Sequence, residues 1–243
     1  MVLLRSLLFV IWLYSSLAMV GLVFAPTLLF GRAGGMAACR TWARAILFGL
    51  RWIVGARVRF EGLEKIPEGP LLVASKHQAM LDTLMPFLLF RDPAIVLKRE
   101  LVNAPVFGWY AVATGQIPID REANATALRN LMKEARVRRD QGRQVFIFPE
   151  GTRTEPHAPP DYKPGVAALD RDLGLSCTPI ALDTGKIWSA RGLIRRPGEV
   201  TIKILDPIPP GLSRDAFMQT LQTRIEGATD ALYATSRPSE ATA

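Results

Sequence analysis

Two histidines occur among 243 residues, and one of them, His77, stands in HQAMLDT five positions before Asp82. An imidazole within reach of a carboxylate can serve as a general base. The carboxylate accepts the proton of one ring nitrogen, which fixes the tautomer and leaves the other nitrogen free to take a proton. Such a base strips an alcohol of its proton as the alcohol attacks an acyl carbon. On a continuous helix, this spacing would turn the two side chains about 140° apart, and they would not meet. They meet if His77 ends the apolar run LLVAS as a strand and Asp82 opens the helix that follows. On a plainer reading, Asp82 caps that helix and His77 is a satisfied turn residue.

A second stretch, FIFPEGTRT at 146–154, gathers more chemistry. An apolar strand ends at Pro149, and Glu150, Gly151, Thr152 and Arg153 follow without a break. Gly151 permits backbone angles that other residues avoid and lets a ligand approach closely. Thr152 offers a hydroxyl, and Arg153 a forked cation suited to phosphate. Glu150 can hold an arginine or bond a substrate hydroxyl. The stretch IPIDRE delivers Asp120, Arg121 and Glu122 after another apolar segment. Arg121 is thus a second phosphate candidate, with a surface ion pair as the plainer reading. Lys163 in DYKPGVAAL is either a phosphate or donor contact or an ordinary surface lysine. There is no Gly-x-Ser-x-Gly elbow and no glycine-rich phosphate loop with a lysine. Cys39 and Cys177 lie far apart, without metal spacing or a disulfide framework, and fit a reducing compartment. His157 sits in a proline-rich loop and adds no metal site.

Alternating strands and helices must position these residues. VRFEGLEKI, GPLLVASKH, AIVLKRE, QVFIFPEGTRT, CTPIALDTG and EVTIKILDPI read as strands. TLMPFLLF, residues 122–142, GVAALDRDLG and SRDAFMQTLQTRIEGATDALY read as helices. GQIPIDR is short and extended, and Pro118 confines it to an edge or a bulge. Gly142 and Gly174 are expected C-caps and Ser213 an N-cap. This order predicts an α/β layered core, with active residues where strands end and loops begin.

The amino terminus differs. Arg5 and Arg32 bracket 26 residues without a charge, more than the roughly 20 apolar residues that cross a bilayer as a helix. Gly21 and Pro26 interrupt the run, so its straight part is expected over 6–25. The apolar region of a cleaved signal is about 7–15 residues, which favours a retained membrane helix over a signal peptide or a core helix. In the next segment, Arg40, Arg44 and Arg51 fall near 0°, about 40° and about 20° around a helix, in one stripe. Trp42, Ile46, Leu50 and Ile53 lie elsewhere. This suits a helix in a membrane interface with its arginines at lipid phosphates; a helix on the core with one solvated face is the alternative. These arginines follow the first apolar run, which places the rest of the chain in the cytoplasm. A hairpin that spans the inner membrane and one that dips into a single leaflet fit equally. The formal charge of +8 favours an anionic partner, and no aromatic–basic interleaving points to nucleic acid. The expected organisation is membrane-anchoring helices over 1–55, a catalytic domain over 56–235 and a flexible tail over 236–243.

Four blocks occur in order: KHQAMLD, GQIPIDRE, FPEGTRT and CTPIALDTG, with VLKRELVNAPVFGW between the first two. With them the chain resembles the 1-acyl-sn-glycerol-3-phosphate acyltransferase family of phospholipid synthesis, over residues 57–211. The resemblance implies an αβα acyltransferase core that converts lysophosphatidic acid to phosphatidic acid. It implies that His77 is the general base on the free sn-2 hydroxyl and that Asp82 orients it. Arg121 would bind the acceptor's phosphate, and Glu150, Gly151 and Arg153, with Thr152 beside them, would position the acceptor. Pro179 is associated with the donor or with site shape. The donor implied is an acyl thioester on coenzyme A or acyl carrier protein, with no metal or bound cofactor. Two positions depart from the usual pattern: Lys76 replaces a common asparagine, and Asp183-Thr184-Gly185 replaces Asn-Ser-Gly. A carboxylate at 183 bears on which acceptor is taken. The competing expectations are the same chemistry on glycerol 3-phosphate, another lysophospholipid or a lyso-aminolipid, and a silent lipid-binding protein.

Overall fold

The computed structural model describes residues 1–120 and 124–235. Its strands are β1 (Ala56–Glu61), β2 (Leu71–Ser75), β3 (Pro93–Lys98), β4 (Ile117–Ile119), β5 (Gln144–Ile147), β6 (Cys177–Leu182) and β7 (Gly198–Ile204). They form one sheet in the order β1-β7-β6-β2-β5-β3-β4. Neighbours run parallel except β6 and β7, which are antiparallel. β4 takes the edge, as Pro118 requires.

Alternation along the strands divides the interior in two. Leu71, Val73, Ile95 and Phe146 turn to one face of the sheet; Leu72, Ala74, Ala94 and Val145 turn to the other. The second face is covered by α5 (Asn124–Asp140), α6 (Gly165–Leu173) and α7 (Arg214–Thr235). The first is covered by α1 (Val2–Val23), α2 (Gly31–Gly49), α3 (Pro86–Leu89) and α4 (Phe107–Ala113). This is the expected layered α/β core. Gly174 ends α6 at φ +61°, and Ser213 Oγ accepts the Ala216 N–H at 3.3 Å at the start of α7. The helix expected at TLMPFLLF is shorter than its apolar run, because a 3-10 turn, Met80–Thr83, occupies the chain just before it.

The charge-free run does form α1, but α1 is also a layer of the fold. Phe9, Leu13 and Val20 are buried in the core cluster, while Leu4, Leu8, Ile11 and Leu22 are exposed. Gly21 does not break the helix. A Cβ there would lie 2.2 Å from Val106 Cγ1, so its bareness admits the segment leading into α4. Pro26 does end the regular helix, and a 3-10 turn follows at Ala25–Phe30. In α2, Trp42 and Ile46 are buried as their wheel positions require, and Arg44 and the following Arg51 are exposed. Arg40 is used differently. Its Nε donates to the Phe87 carbonyl at 3.2 Å and its Nη2 to that of Arg91 at 2.5 Å, satisfying acceptors in α3 and in the turn behind it.

One buried carboxyl in α6 pairs with no cation among the described residues. Asp170 is buried, its Oδ1 accepts no hydrogen bond, and burial raises its pKa to about 6. The folded value lies above the unfolded one, so the folded state binds the proton more tightly. Stability is therefore lost as the pH rises from about 4 to about 6, and the loss is complete above that. Asp170→Asn is expected to melt higher than the parent at neutral pH, with the gain shrinking to nothing as the pH falls to about 4. Equal melting temperatures at neutral pH would show that the carboxylate is not destabilising.

Candidate active site

β2 ends at Ser75, and the chain leaves the sheet through Lys76, His77 and Gln78 before the 3-10 turn at Met80. This break in direction lets residues 77 and 82 meet. His77 Nδ1 lies 3.1 Å from Asp82 Oδ2. The same Oδ2 accepts the backbone N–H of Gln78 at 2.7 Å and of Ala79 at 2.8 Å, and Oδ1 accepts the Thr184 hydroxyl at 2.7 Å. Asp82 is 2% exposed. It is therefore both cap and orienter, through one set of contacts. A carboxylate in this setting only accepts, so the ring proton belongs on Nδ1 and Nε2 holds the lone pair. No described residue hydrogen-bonds Nε2. The ring stacks on Phe148, with centroids 4.0 Å apart, which fixes its plane.

Both oxygens of Glu150 accept from neighbouring residues. Its Oε2 accepts the His77 backbone N–H at 3.1 Å, and its Oε1 accepts Lys76 Nζ at 2.6 Å and the Thr154 hydroxyl at 3.0 Å. Thr154 N donates to the His77 carbonyl at 2.8 Å. The FPEGTRT turn is thus stitched to the backbone of residue 77. Lys76 Nζ also reaches both oxygens of Glu226 in α7, at 3.0 and 2.9 Å, and the Tyr162 hydroxyl donates to Glu226 Oε1 at 2.8 Å. Burial, and then the Glu226 charge, push the Tyr162 phenol well above its ordinary pKa, so it remains a donor. Neither Tyr162 nor Glu226 stands in a motif or a local pattern. Only the closing helix brings residue 226 to residue 76.

The other expected site residues fall into separate places. Gly151 is left-handed, at φ +69°. Thr152 and Arg153 are exposed beyond it. Lys163 donates its backbone N–H to Pro149 O at 2.8 Å, but its ammonium pairs with Asp161 at the surface. Arg121 lies outside the described residues. Asp183 is held within the fold. Its Oδ1 accepts the Thr201 N–H at 2.6 Å, its Oδ2 pairs with Lys186, and it is 2% exposed. Its charge is therefore answered within the fold. Gln78 Oε1 takes the Gly185 N–H and the Tyr233 hydroxyl, each at 3.0 Å, tying the first motif to the fourth. The thiols are poor nucleophiles: burial raises Cys39 to about 12 and moves Cys177 higher still.

Comparisons with known proteins bear on the family and the fold. A family model described as Acyltransferase matches residues 57–183. The chain is 35% identical over 203 residues to a 1-acyl-sn-glycerol-3-phosphate acyltransferase of Pseudomonas aeruginosa, covering 82% of this chain and 79% of that one. It is 28% identical over 176 residues to 1-acyl-sn-glycerol-3-phosphate acyltransferase alpha of Homo sapiens, covering 71% and 62% of the two. The chain spans about half the length of the relatives it matches in Chlamydomonas reinhardtii and Arabidopsis thaliana. The crystal structure of a 1-acyl-sn-glycerophosphate acyltransferase from Thermotoga maritima superposes with a TM-score of 0.79 at 20% identity, covering 98% of this chain and all of that one, a likeness of fold.

Proposed function

This chain belongs to the acyltransferase family, and from that premise we propose that it moves a fatty acyl group from a thioester to the sn-2 hydroxyl of 1-acyl-glycerol-3-phosphate, giving phosphatidic acid. The observation that carries the reading is the 3.1 Å contact between His77 Nδ1 and Asp82 Oδ2, which leaves Nε2 as a base. Nε2 takes the hydroxyl proton as the oxygen attacks the thioester carbonyl. The tetrahedral intermediate collapses, the carbon–sulfur bond breaks, and the thiolate receives the proton from the imidazolium. A thiol's intrinsic pKa near 8.5 makes the thiolate a good leaving group, so a second acid is not needed. The donor is an acyl thioester of coenzyme A or acyl carrier protein. Lys76, Glu150 and Thr154 hold the backbone of residue 77, and Asp82 holds its ring. Arg153, exposed on the turn that Glu150 and Thr154 stitch to residue 77, receives the acceptor's phosphate, and Arg121 is a second ligand for it.

The substrates are lipids, and the amino-terminal helices suit a membrane. Leu4, Leu8, Ile11 and Leu22 expose an apolar face on α1. The rings of Trp12, Phe48 and Trp52 extend it, at centroid distances of 5.8 and 6.4 Å. The opposite face of α1 packs on α2 and on the hairpin that carries Trp188. This favours helices that sink into one leaflet of the cytoplasmic face over a free-standing span.

An acceptor panel tests the reading. With acyl-coenzyme A and purified enzyme in detergent, free thiol should appear fastest with 1-acyl-glycerol-3-phosphate. Faster release with glycerol 3-phosphate or a lyso-aminolipid would move the acceptor assignment, and no release with any acceptor would leave a lipid-binding protein. Arg153→Lys keeps the charge but loses the fork. It is expected to raise KM for the acceptor by about 3- to 10-fold with kcat little changed. An unchanged KM would count against a phosphate at Arg153.

A further inference from the structure

On the second face of the sheet, α5 and α6 pack side by side and leave a groove between them that the acyl-transfer chemistry does not use. Leu128, Arg129 and Met132 of α5 face Ala168, Arg171 and Asp172 of α6 across a cavity of about 380 Å³. Ala168 is short, so the apolar side chains opposite it stay uncovered: Leu128 is exposed and Met132 half-buried. Cations edge this slot. Around α5, Arg129, Lys133 and Arg136 fall about 100°, 140° and 80° from Leu128, in one stripe along its outer side. Arg171 stands on the other bank. Arg136 Nε donates to Asp172 Oδ2 at 2.8 Å and bridges the two helices, which takes up the one carboxylate that lines the groove. Arg129, Lys133 and Arg171 are exposed and form no ion pair among the described residues.

Unanswered cations beside an apolar slot complement an acidic amphipathic helix, whose apolar stripe enters the slot while its carboxylates meet the cations. A lipid surface fits less well. The exposed apolar face of α1 belongs to the layer on the first face of the sheet, so with α1 in a leaflet the groove turns away from the bilayer. A small phosphate ligand fits less well too, because these cations are spread along a helix at the surface and do not converge on one point. The groove also opens at the catalytic end. α6 starts two residues after Lys163, whose N–H is held by Pro149 O at 2.8 Å, and α5 follows the IPIDRE segment. Both helices therefore run down from the end of the sheet that carries His77. Leu128 stands four residues, about 6 Å, below the start of α5.

We propose that this groove docks the protein that carries the acyl thioester, seating an acidic helix of the carrier so that its flexible thioester arm is delivered to the His77 end of the sheet. The inference rests on the acyl-transfer reading above and chooses between its two donors, in favour of acyl carrier protein. Leu128, Met132 and Ala168 take the apolar stripe of the carrier's helix. Arg129, Lys133 and Arg171 take its carboxylates. Such a contact is small and steered by charge, which suits a partner that must leave after each transfer.

Steady-state rates with one acyl chain on acyl carrier protein and the same chain on coenzyme A test this, using the full chain in detergent and 1-acyl-glycerol-3-phosphate as acceptor. Arg129→Glu with Lys133→Glu is expected to lower kcat/KM at least about tenfold for the carrier donor and to leave the coenzyme A value within about twofold. Ala168→Trp, which fills the slot without changing charge, should give the same split; if it does not fold, Leu128→Gln at the surface carries the comparison. An equal loss with both donors overturns the docking, since the cations would then serve the coenzyme's phosphates or the fold. No loss with either donor, or a parent enzyme that turns over only the coenzyme A donor, also overturns it and leaves the acyl-transfer reading standing. A parent enzyme that turns over neither donor removes that reading, and the docking falls with it.

Discussion

His77→Ala is expected to lower kcat by at least about 100-fold, the usual worth of a positioned base, while the protein melts close to the parent. The structural contacts of residue 77 are made by its backbone: its N–H to Glu150 at 3.1 Å and its carbonyl to the Thr154 N–H at 2.8 Å. An alanine keeps both. Asp82 loses the imidazole but retains Gln78 N, Ala79 N and the Thr184 hydroxyl as donors, so no unpaired carboxylate is left behind. What the variant loses structurally is the stacking on Phe148, a partly compensated apolar contact. The loss is thus chemical, and thiol release against time, with a thermal melt beside it, reads it directly. A variant that turns over near the parent rate would leave the mechanism without a base.

The chemistry at residues 77 and 82 was legible because it is local. A strand signal ended at Ser75, a helix signal began near Asp82, and only a bend between them satisfies both periods. Glycine caps and the edge strand at Pro118 were legible for the same reason, since backbone angles and missing donors act at their own position. Three features were not. The antiparallel pairing of β6 with β7 depends on how a long connection returns, which no single strand encodes. The two-sided nature of α1 was hidden because lipid and protein core select the same apolar residues; buried Phe9 and exposed Ile11 look alike in sequence. Arg40 shared a stripe with Arg44 and Arg51, yet α3 and the turn behind it each supply it with a carbonyl, partners the wheel could not show.

The second large effect lies at Lys76, where the chain departs from the common asparagine. Lys76 is 3% exposed and stands between Glu150, also 3% exposed, and Glu226. Lys76→Met removes the one cation between two carboxylates. Breaking a buried pair from one side costs about 3–5 kcal/mol, because the remaining charge stays in a poor medium. For a chain of this length that is a fall of roughly 10 °C in melting temperature. Lys76→Asn, which restores the more usual residue, should cost nearly as much, since a neutral amide answers neither charge and Glu226 remains opposite. Activity should fall as well, because Glu150 Oε2 holds the His77 N–H. Adding Glu150→Gln to Lys76→Met removes the stranded charge, so the double variant should melt higher than Lys76→Met alone, a coupling that a double-mutant cycle reads in kcal/mol. If the two losses simply add, the pair contributes nothing as a pair, and the stitch between β2 and the FPEGTRT turn must be attributed to Thr154 and the backbone of residue 77 instead.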